Sequence, residues 1–298
     1  MNTKFFDKAI RILFIFVVIV AIFYTSSRNA MAQDPVPVKV GLVTDETGID
    51  EMSFNWMANQ GLENAENHLG IEGTLYESDS PDDYEALLQQ CADEGNQLCF
   101  SVGFLMAYAT DVVATANPDT AFAILDMNND AGLPNLRGIR FDEKEAGYLA
   151  GALAGKMTGS NAVGVVGGWE IQPVVDFAEG YRNGAQCANP DVDAFIQYTY
   201  EWNDPVLGAE TAQDMINQGA DVIFAAAGAT GNGAILHSAE QGVWSIGVDT
   251  DQYVSLFGNG GVVGAENLLT SAMKKLDTAV YLTIEDYLND SFSGGTVT

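Results

Sequence analysis

The sequence predicts an α/β protein built as two doubly wound, parallel-sheet lobes. Short β-branched runs alternate with helical patterns along nearly the whole chain, which calls for right-handed βαβ units with helices on both sheet faces. The strands number ten or so, too many for one comfortable open sheet in a chain of 298 residues. Apolar residues make up 47% of the chain and charged ones 18%, enough to bury two cores and inconsistent with extended disorder.

The elements follow in order. Lys4, Lys8 and Arg11 precede an apolar run over 12–24, and Ala30-Met31-Ala32 offers a small-x-small cleavage pattern, so 1–32 reads as a secretory signal peptide. The run is short of the ~20 residues that span a bilayer. No cysteine directly follows it for lipid attachment, so the mature protein is expected to be soluble, the alternative being a retained membrane anchor; export implies the periplasm if the source is a Gram-negative bacterium, and a monomer is expected. After the Pro-bearing linker 34–37, the run 38–44 reads as a buried strand ending at Asp45. Phe54, Met57, Ala58, Gly61, Leu62, Ala65 and Leu69 then recur at helical spacing behind Ser53, an N-cap residue. A strand near 73–77, a helix opened by Ser80-Pro81-Asp82-Asp83, a strand at 98–102, a helix at 108–116 and a strand at 121–125 continue the alternation.

Residues 135–141 read as a crossing between lobes, ahead of a small-residue helix at 145–157. Strands at 162–166, 194–200, 221–227 and 244–248 then alternate with helices at 174–188, 208–218 and 233–241. One lobe is expected to comprise 38–138 plus 263–288 and the other 139–262 plus 289–298.

Charge and cysteine usage exclude several functions. Twelve basic against 41 acidic residues leave a net charge of −29, a field that repels phosphate backbones, so no nucleic-acid partner is expected. An oxidising compartment permits a Cys91–Cys99 bridge, but all three cysteines, Cys187 included, can equally be small buried hydrophobes. His68 and His237 are the only histidines and there is no CxxC, so neither a metal nor a cofactor is implied. A GxSxG elbow, an HExxH motif and a convincing Ser/His/Asp set are also missing, and no catalytic residue is assigned.

In parallel sheets ligands bind beyond the carboxyl ends of the strands. Those positions here are Asp45, Gly103, Asp126, Gly167-Gly168, Trp202, Gly228 and Asp249. An Asp after a strand is commonly a turn residue or a cap. Three facing one crevice would suit a neutral ligand rich in N–H and O–H donors, because an ionised carboxylate only accepts hydrogen bonds. Phe54 and Trp202 are candidates to sandwich a flat ring. The Gly-rich run 227–233 follows a strand and opens a helix, as a phosphate loop does, yet no Lys-Ser/Thr follows it and GxGxxG spacing is absent. Its backbone amides can instead hold a hydroxyl.

The strings Gly41-Leu42-Val43-Thr44-Asp45, Gly48-Ile49-Asp50-Glu51-Met52-Ser53-Phe54-Asn55, Gly103-Phe104-Leu105-Met106 and Glu145-Ala146-Gly147-Tyr148-Leu149-Ala150-Gly151 carry a resemblance. Gly228-Ala229-Thr230-Gly231-Asn232-Gly233 and Ile246-Gly247-Val248-Asp249-Thr250-Asp251-Gln252 extend it. Together, and in order along essentially all of the mature chain, they resemble the basic membrane protein family, substrate-binding proteins of ABC importers that include purine nucleoside receptors.

The resemblance implies a type I periplasmic-binding-protein fold, two lobes joined by a hinge crossed three times, and a membrane permease as partner. It implies that Phe54, in its Ser-Phe-Asn context with Asn55, and Trp202 clamp a base. Asp45 matches a base-binding Asp, Asp126 another ligand-facing Asp, Gly228 and Asp249 ribose-binding positions, and Lys274 a lysine near the sugar. Glu46 stands where nucleoside receptors often have Asn, which bears on the base edge that is read. The chain stops at 294–298 while entering a strand that family members continue, as a truncated sequence would. The competing expectations are a nucleoside-processing hydrolase using Asp45 or Asp126, and a sensory subunit serving a chemoreceptor.

Overall fold

Two all-parallel sheets organise the residues described by the computed structural model, 36–49 and 53–298. The expected signal peptide lies outside them. In the first sheet β1 (Lys39–Val43), β2 (Glu72–Tyr76), β3 (Leu98–Ser101), β4 (Ala121–Leu125), β5 (Leu136–Ile139) and β11 (Gly295–Val297) run in the order β11-β5-β4-β3-β1-β2. In the second, β6 (Ala162–Gly167), β7 (Asp193–Tyr198), β8 (Val222–Ala226), β9 (Trp244–Asp249) and β10 (Leu268–Met273) run in the order β10-β9-β8-β6-β7. Every residue of β3, β4, β6 and β8 is buried, which is why these strands read as unbroken apolar runs instead of alternating ones. The chain order reverses between β1 and β3 in the first sheet and between β6 and β8 in the second, so each lobe has a crevice at the carboxyl ends of those strands.

Local chemistry sets the helix ends. Ser53 Oγ accepts the Trp56 N–H at 3.2 Å to start α1 (Phe54–Leu69), and Gly70, at φ 71°, ends it in the left-handed conformation. Helices α2 (Tyr84–Asp93) and α3 (Ala107–Ala116) complete the first lobe's initial βαβ units. Asp142 caps α4 (Glu143–Met157), and proline occupies the first turns of α5 (Gln172–Ala188) and α6 (Pro205–Asn217). Then come α7 (Gly228–Glu240), the one-turn α8 (Gln252–Ser255) and α9 (Leu276–Leu288).

Glycine governs the closest helix pair. On α4, Gly147, Gly151 and Gly155 lie against the backbone of Phe177, Tyr181 and Ala185 on α5, while Gly180 and Gly184 of α5 lie against Lys144 and Tyr148. Side chains there would force the axes apart, so the small-residue stripe at four-residue spacing is a packing seam.

Three expectations change. Residues 135–141 contain β5, and the crossing follows it at 140–142; a second crossing lies at 274–275. Segment 268–273 pairs with β9 in the second lobe, and 295–297 pairs with β5 in the first, the reverse of the expected allocation. Pairing between strands far apart in the chain decides this, and α9 goes to the first lobe because Leu276, Val280 and Ile284 enter the core formed by α1, β1 and β3. Finally, α7 begins at Gly228, five residues ahead of the expected 233, so the Gly-rich run is the helix's first turns and not a loop. Gly233 there meets the Pro205 carbonyl on α6, an approach that a side chain would block.

Cys91 of α2 and Cys99 of β3 form a disulfide with Cα atoms 6.3 Å apart, whereas Cys187 on α5 is free and exposed. No helix among the described residues is long and apolar enough to cross a membrane.

Candidate functional site

A cavity of about 270 Å³ lies where the carboxyl ends of the two sheets face each other, and both lobes line it. From the first lobe come Asp45, Phe54, Phe104 and Asp126; from the second come Phe177, Trp202, Gly228 and Asp249; Lys274 enters from the second crossing. Seven of the nine residues expected from the sequence therefore meet in one place. The two others, Glu46 and Asn55, do not line it.

Asp45 ends up with one oxygen committed and one available. Its Oδ1 accepts the Thr47 N–H at 3.0 Å, the Thr47 hydroxyl, and Asn55 Nδ2 at 2.8 Å. Its Oδ2 faces Gly103, whose φ of +95° and missing side chain keep the approach open; a Cβ there would lie 3.2 Å from Oδ2. Asn55 follows Phe54 on α1, about 100° further round the helix, so Phe54 faces the cleft while Asn55 is fully buried beneath Asp45. Its role is to fix that carboxylate: Nδ2 also donates to the Gly48 carbonyl at 2.8 Å. Burial pushes the Glu46 carboxyl above its ordinary range, with neighbouring Asp45 adding to the rise and a backbone hydrogen bond opposing it.

The aromatic walls are positioned by glycine. Trp202 sits in the loop between β7 and α6, and its indole lies against Gly168, where a Cβ would stand 2.6 Å from Cε3 and Cη2. The Trp202 carbonyl accepts the Thr230 N–H at 2.9 Å, tying the loop to α7. Gly228, at φ +57°, makes the turn into α7 directly beside that loop. Phe104 approaches Trp202 from the other lobe, with ring centroids 6.3 Å apart and planes at 60°.

Asp126 and Asp249 end β4 and β9 with φ values of +63° and +60°. This left-handed conformation is tolerated by Asp and Asn far better than by bulky residues, and it turns each carboxylate out of its strand into the cleft. Lys274 Nζ reaches the two Asp126 oxygens at 2.8 and 3.0 Å. Its amide N–H donates to the Asp249 carbonyl at 2.8 Å, which holds the two residues side by side. Nζ also lies 5.7, 5.4 and 5.3 Å from the ring centroids of Phe54, Phe141 and Phe177. The ammonium is thus enclosed by acids and aromatic faces. Burial favours the neutral amine, but Asp126, Asp249 and Glu143 outweigh it and hold Lys274 above its ordinary range.

Glu143, the first residue of α4, completes this group and was not singled out by sequence reasoning. Its only signal was that of any acid in a helix's first turn. Its side chain is 1% exposed and Oε1 lies 3.0 Å from Lys274 Nζ.

Residues 38–298 match the family model described as "Bmp: ABC transporter substrate-binding protein PnrA-like". The chain is 32% identical over 274 residues to "ABC transporter nucleoside-binding protein BmpA" of Lactococcus lactis subsp. cremoris, covering 87% of this chain and 78% of that one. It is 32% identical over 279 residues to "Basic membrane protein A1" of Borrelia garinii subsp. bavariensis, covering 92% and 80%. Among solved structures, an ABC transporter system solute-binding protein from Aeropyrum pernix K1 superposes with a TM-score of 0.78 at 30% identity, over 88% of this chain and 73% of that one.

Proposed function

Because the chain belongs to the Bmp family of ABC transporter substrate-binding proteins, with the two parallel-sheet lobes of the type I periplasmic-binding fold, we propose that it captures a nucleoside between its lobes. The base is clamped by Phe54 and Trp202, Asp45 Oδ2 accepts a base N–H, and Asp249, with Gly228 and Lys274 nearby, receives the sugar hydroxyls. Asp126 acts through Lys274, since that ammonium takes both of its oxygens. Closure about the crossings at 140–142 and 274–275 would then bury the ring and offer a permease a shape distinct from the open form.

The observation that supports this reading most is that aromatic rings and carboxyl side chains from opposite lobes line one cavity. Such a lining favours a flat, uncharged solute with several N–H and O–H donors and disfavours anions. The Lactococcus relative, named as a nucleoside-binding protein, agrees with it.

Calorimetric titration with a panel of nucleosides, free bases and ribose tests the proposal. Nucleosides are expected to bind more tightly than either fragment, and Trp202→Ala and Asp249→Ala to bind them more weakly while the circular dichroism spectrum is retained. Ribose alone matching the nucleosides would overturn the clamp, and catalytic release of free base from inosine would overturn capture in favour of hydrolysis.

A further inference from the structure

The charges gathered at the hinge do not balance. Asp126 reaches the cluster from the end of β4, Asp249 from the end of β9, Glu143 from the start of α4, and Lys274 from the end of β10. That is one cation facing three carboxyls. Arg140, on the first crossing, turns instead to Asp176 at 3.6 Å, and Asp45 elsewhere in the cleft is held by Thr47 and Asn55. Three phenylalanine rings wall the ammonium. Glu143 is the deepest acid of the set: among the described residues neither of its oxygens has an aligned hydrogen-bond donor, and its 3.0 Å approach to Lys274 is an ion-pair contact only. Two buried carboxylates and a partly buried third, all ionised around a single ammonium, carry a desolvation cost that one counter-charge does not offset.

We propose that Glu143 is a positioning residue which, with Asp126, pins Lys274 across both hinge crossings, and that the cluster stores a proton which solute capture at Asp249 discharges to solvent. The second half rests on the nucleoside reading above. In the empty cleft Glu143 and Asp249 share the proton as a coupled pair beside the Asp126–Lys274 ion pair. Burial raises Glu143, Lys274 opposes that rise, and Asp126 adds to it. Burial likewise pushes Asp249 up to about 6, with Lys274 drawing it down and Asp126 and Glu143 adding to the rise. A solute hydroxyl donating to Asp249 favours its ionised form, so the O–H bond of the acid breaks and the proton leaves to a buffer base. Affinity should then rise with pH, by up to about tenfold per unit below the free-state titration and with no further gain above it.

The store is tested without any solute by potentiometric difference titration of the unliganded wild type against Glu143→Gln and Asp249→Asn. Between pH 8 and 5 each variant is expected to take up about one proton fewer than the wild type, because two acids around one ammonium leave little excess charge to neutralise. Superposable curves from folded variants would overturn the store. Calorimetry of inosine binding to the wild type at about pH 6, in buffers of differing ionisation enthalpy, tests the discharge and covers the case of a variant that fails to fold. The observed enthalpy should change with the buffer in proportion to the protons released, and Glu143→Gln should flatten that dependence. Binding with a buffer-independent enthalpy would overturn the coupling. Absence of inosine binding at any pH would count against the nucleoside reading, with the difference titration still deciding the store.

Discussion

Gly168→Ala should disable the aromatic clamp without touching a ligand contact. Gly168 follows β6 with an ordinary backbone conformation that alanine adopts freely, so any effect of the methyl group is steric. The new Cβ would stand 2.6 Å from two indole carbons of Trp202 and closer still to Cζ3. No non-bonded carbon pair tolerates that separation, so the indole must swing away from the wall. Trp202 is only half-buried and belongs to a loop, so it can move at modest cost to the fold. The loss falls on the stacking contribution, on the order of 1–3 kcal/mol per base, or roughly 5- to 150-fold in Kd. Calorimetry with the tightest-binding nucleoside measures it. Gly159→Ala is the control, since its added Cβ would make only an ordinary 3.6 Å contact with Asp221. If Gly168 acts only through Trp202, the Gly168→Ala/Trp202→Ala double variant should bind like Trp202→Ala alone, within about 0.5 kcal/mol. Undiminished affinity in Gly168→Ala, or additive losses in the double variant, would refute the clamp geometry.

Other outcomes follow from the same structure. Asp249 titrates at about 6 in the folded chain, raised chiefly by burial, against roughly 3.9 in an unfolded one; the folded state binds the proton more tightly, so the stabilisation is present below about pH 4 and is lost as pH rises through about 6. Asp249→Asn, which also suits a positive φ, should therefore gain on the order of 2–3 kcal/mol relative to wild type between about pH 4 and 8 in urea unfolding, and an equal difference at both pH values would contradict this. Gly151→Ala should drive a methyl group into the Tyr181 carbonyl and cost about 1–3 kcal/mol or more, seen as a fall in Tm of about 2–4 °C per kcal/mol. Replacing Cys91 and Cys99 together by Ala should cost roughly 2–3 kcal/mol from the short loop they close, with a lower urea midpoint, while Cys187→Ala should leave the midpoint where it was.

Much of the molecule could be read before any coordinates, for a geometric reason. In a parallel sheet every strand delivers its next residue to the same edge, so listing the residues after each apolar run already collects Asp45, Asp126, Gly228 and Asp249 on one side. The alternation that defines the two lobes is equally local, because period and capping act over a few residues. Asn55 shows where such reading stops. Its neighbour Phe54 faces the cavity while Asn55 turns under Asp45, and only the helix's orientation on the sheet separates them.

Other features depended on segments meeting across the chain. Residues 268–273 and 295–297 carry no mark of which sheet they join, since a strand's pattern records that it is buried and not beside what. The Gly-rich start of α7 opposes helix propensity and forms because glycine lets α6 approach. The Cys91–Cys99 bond required α2 to deliver one sulfur beside β3. Glu143 is the clearest instance: in sequence it is one of three acids around a helix start, and its near-complete burial against Lys274, 131 residues further along the chain, arises because the two hinge crossings are brought side by side. Local pattern specifies elements and the edge that a ligand can reach; which charges share that edge is set by long-range packing.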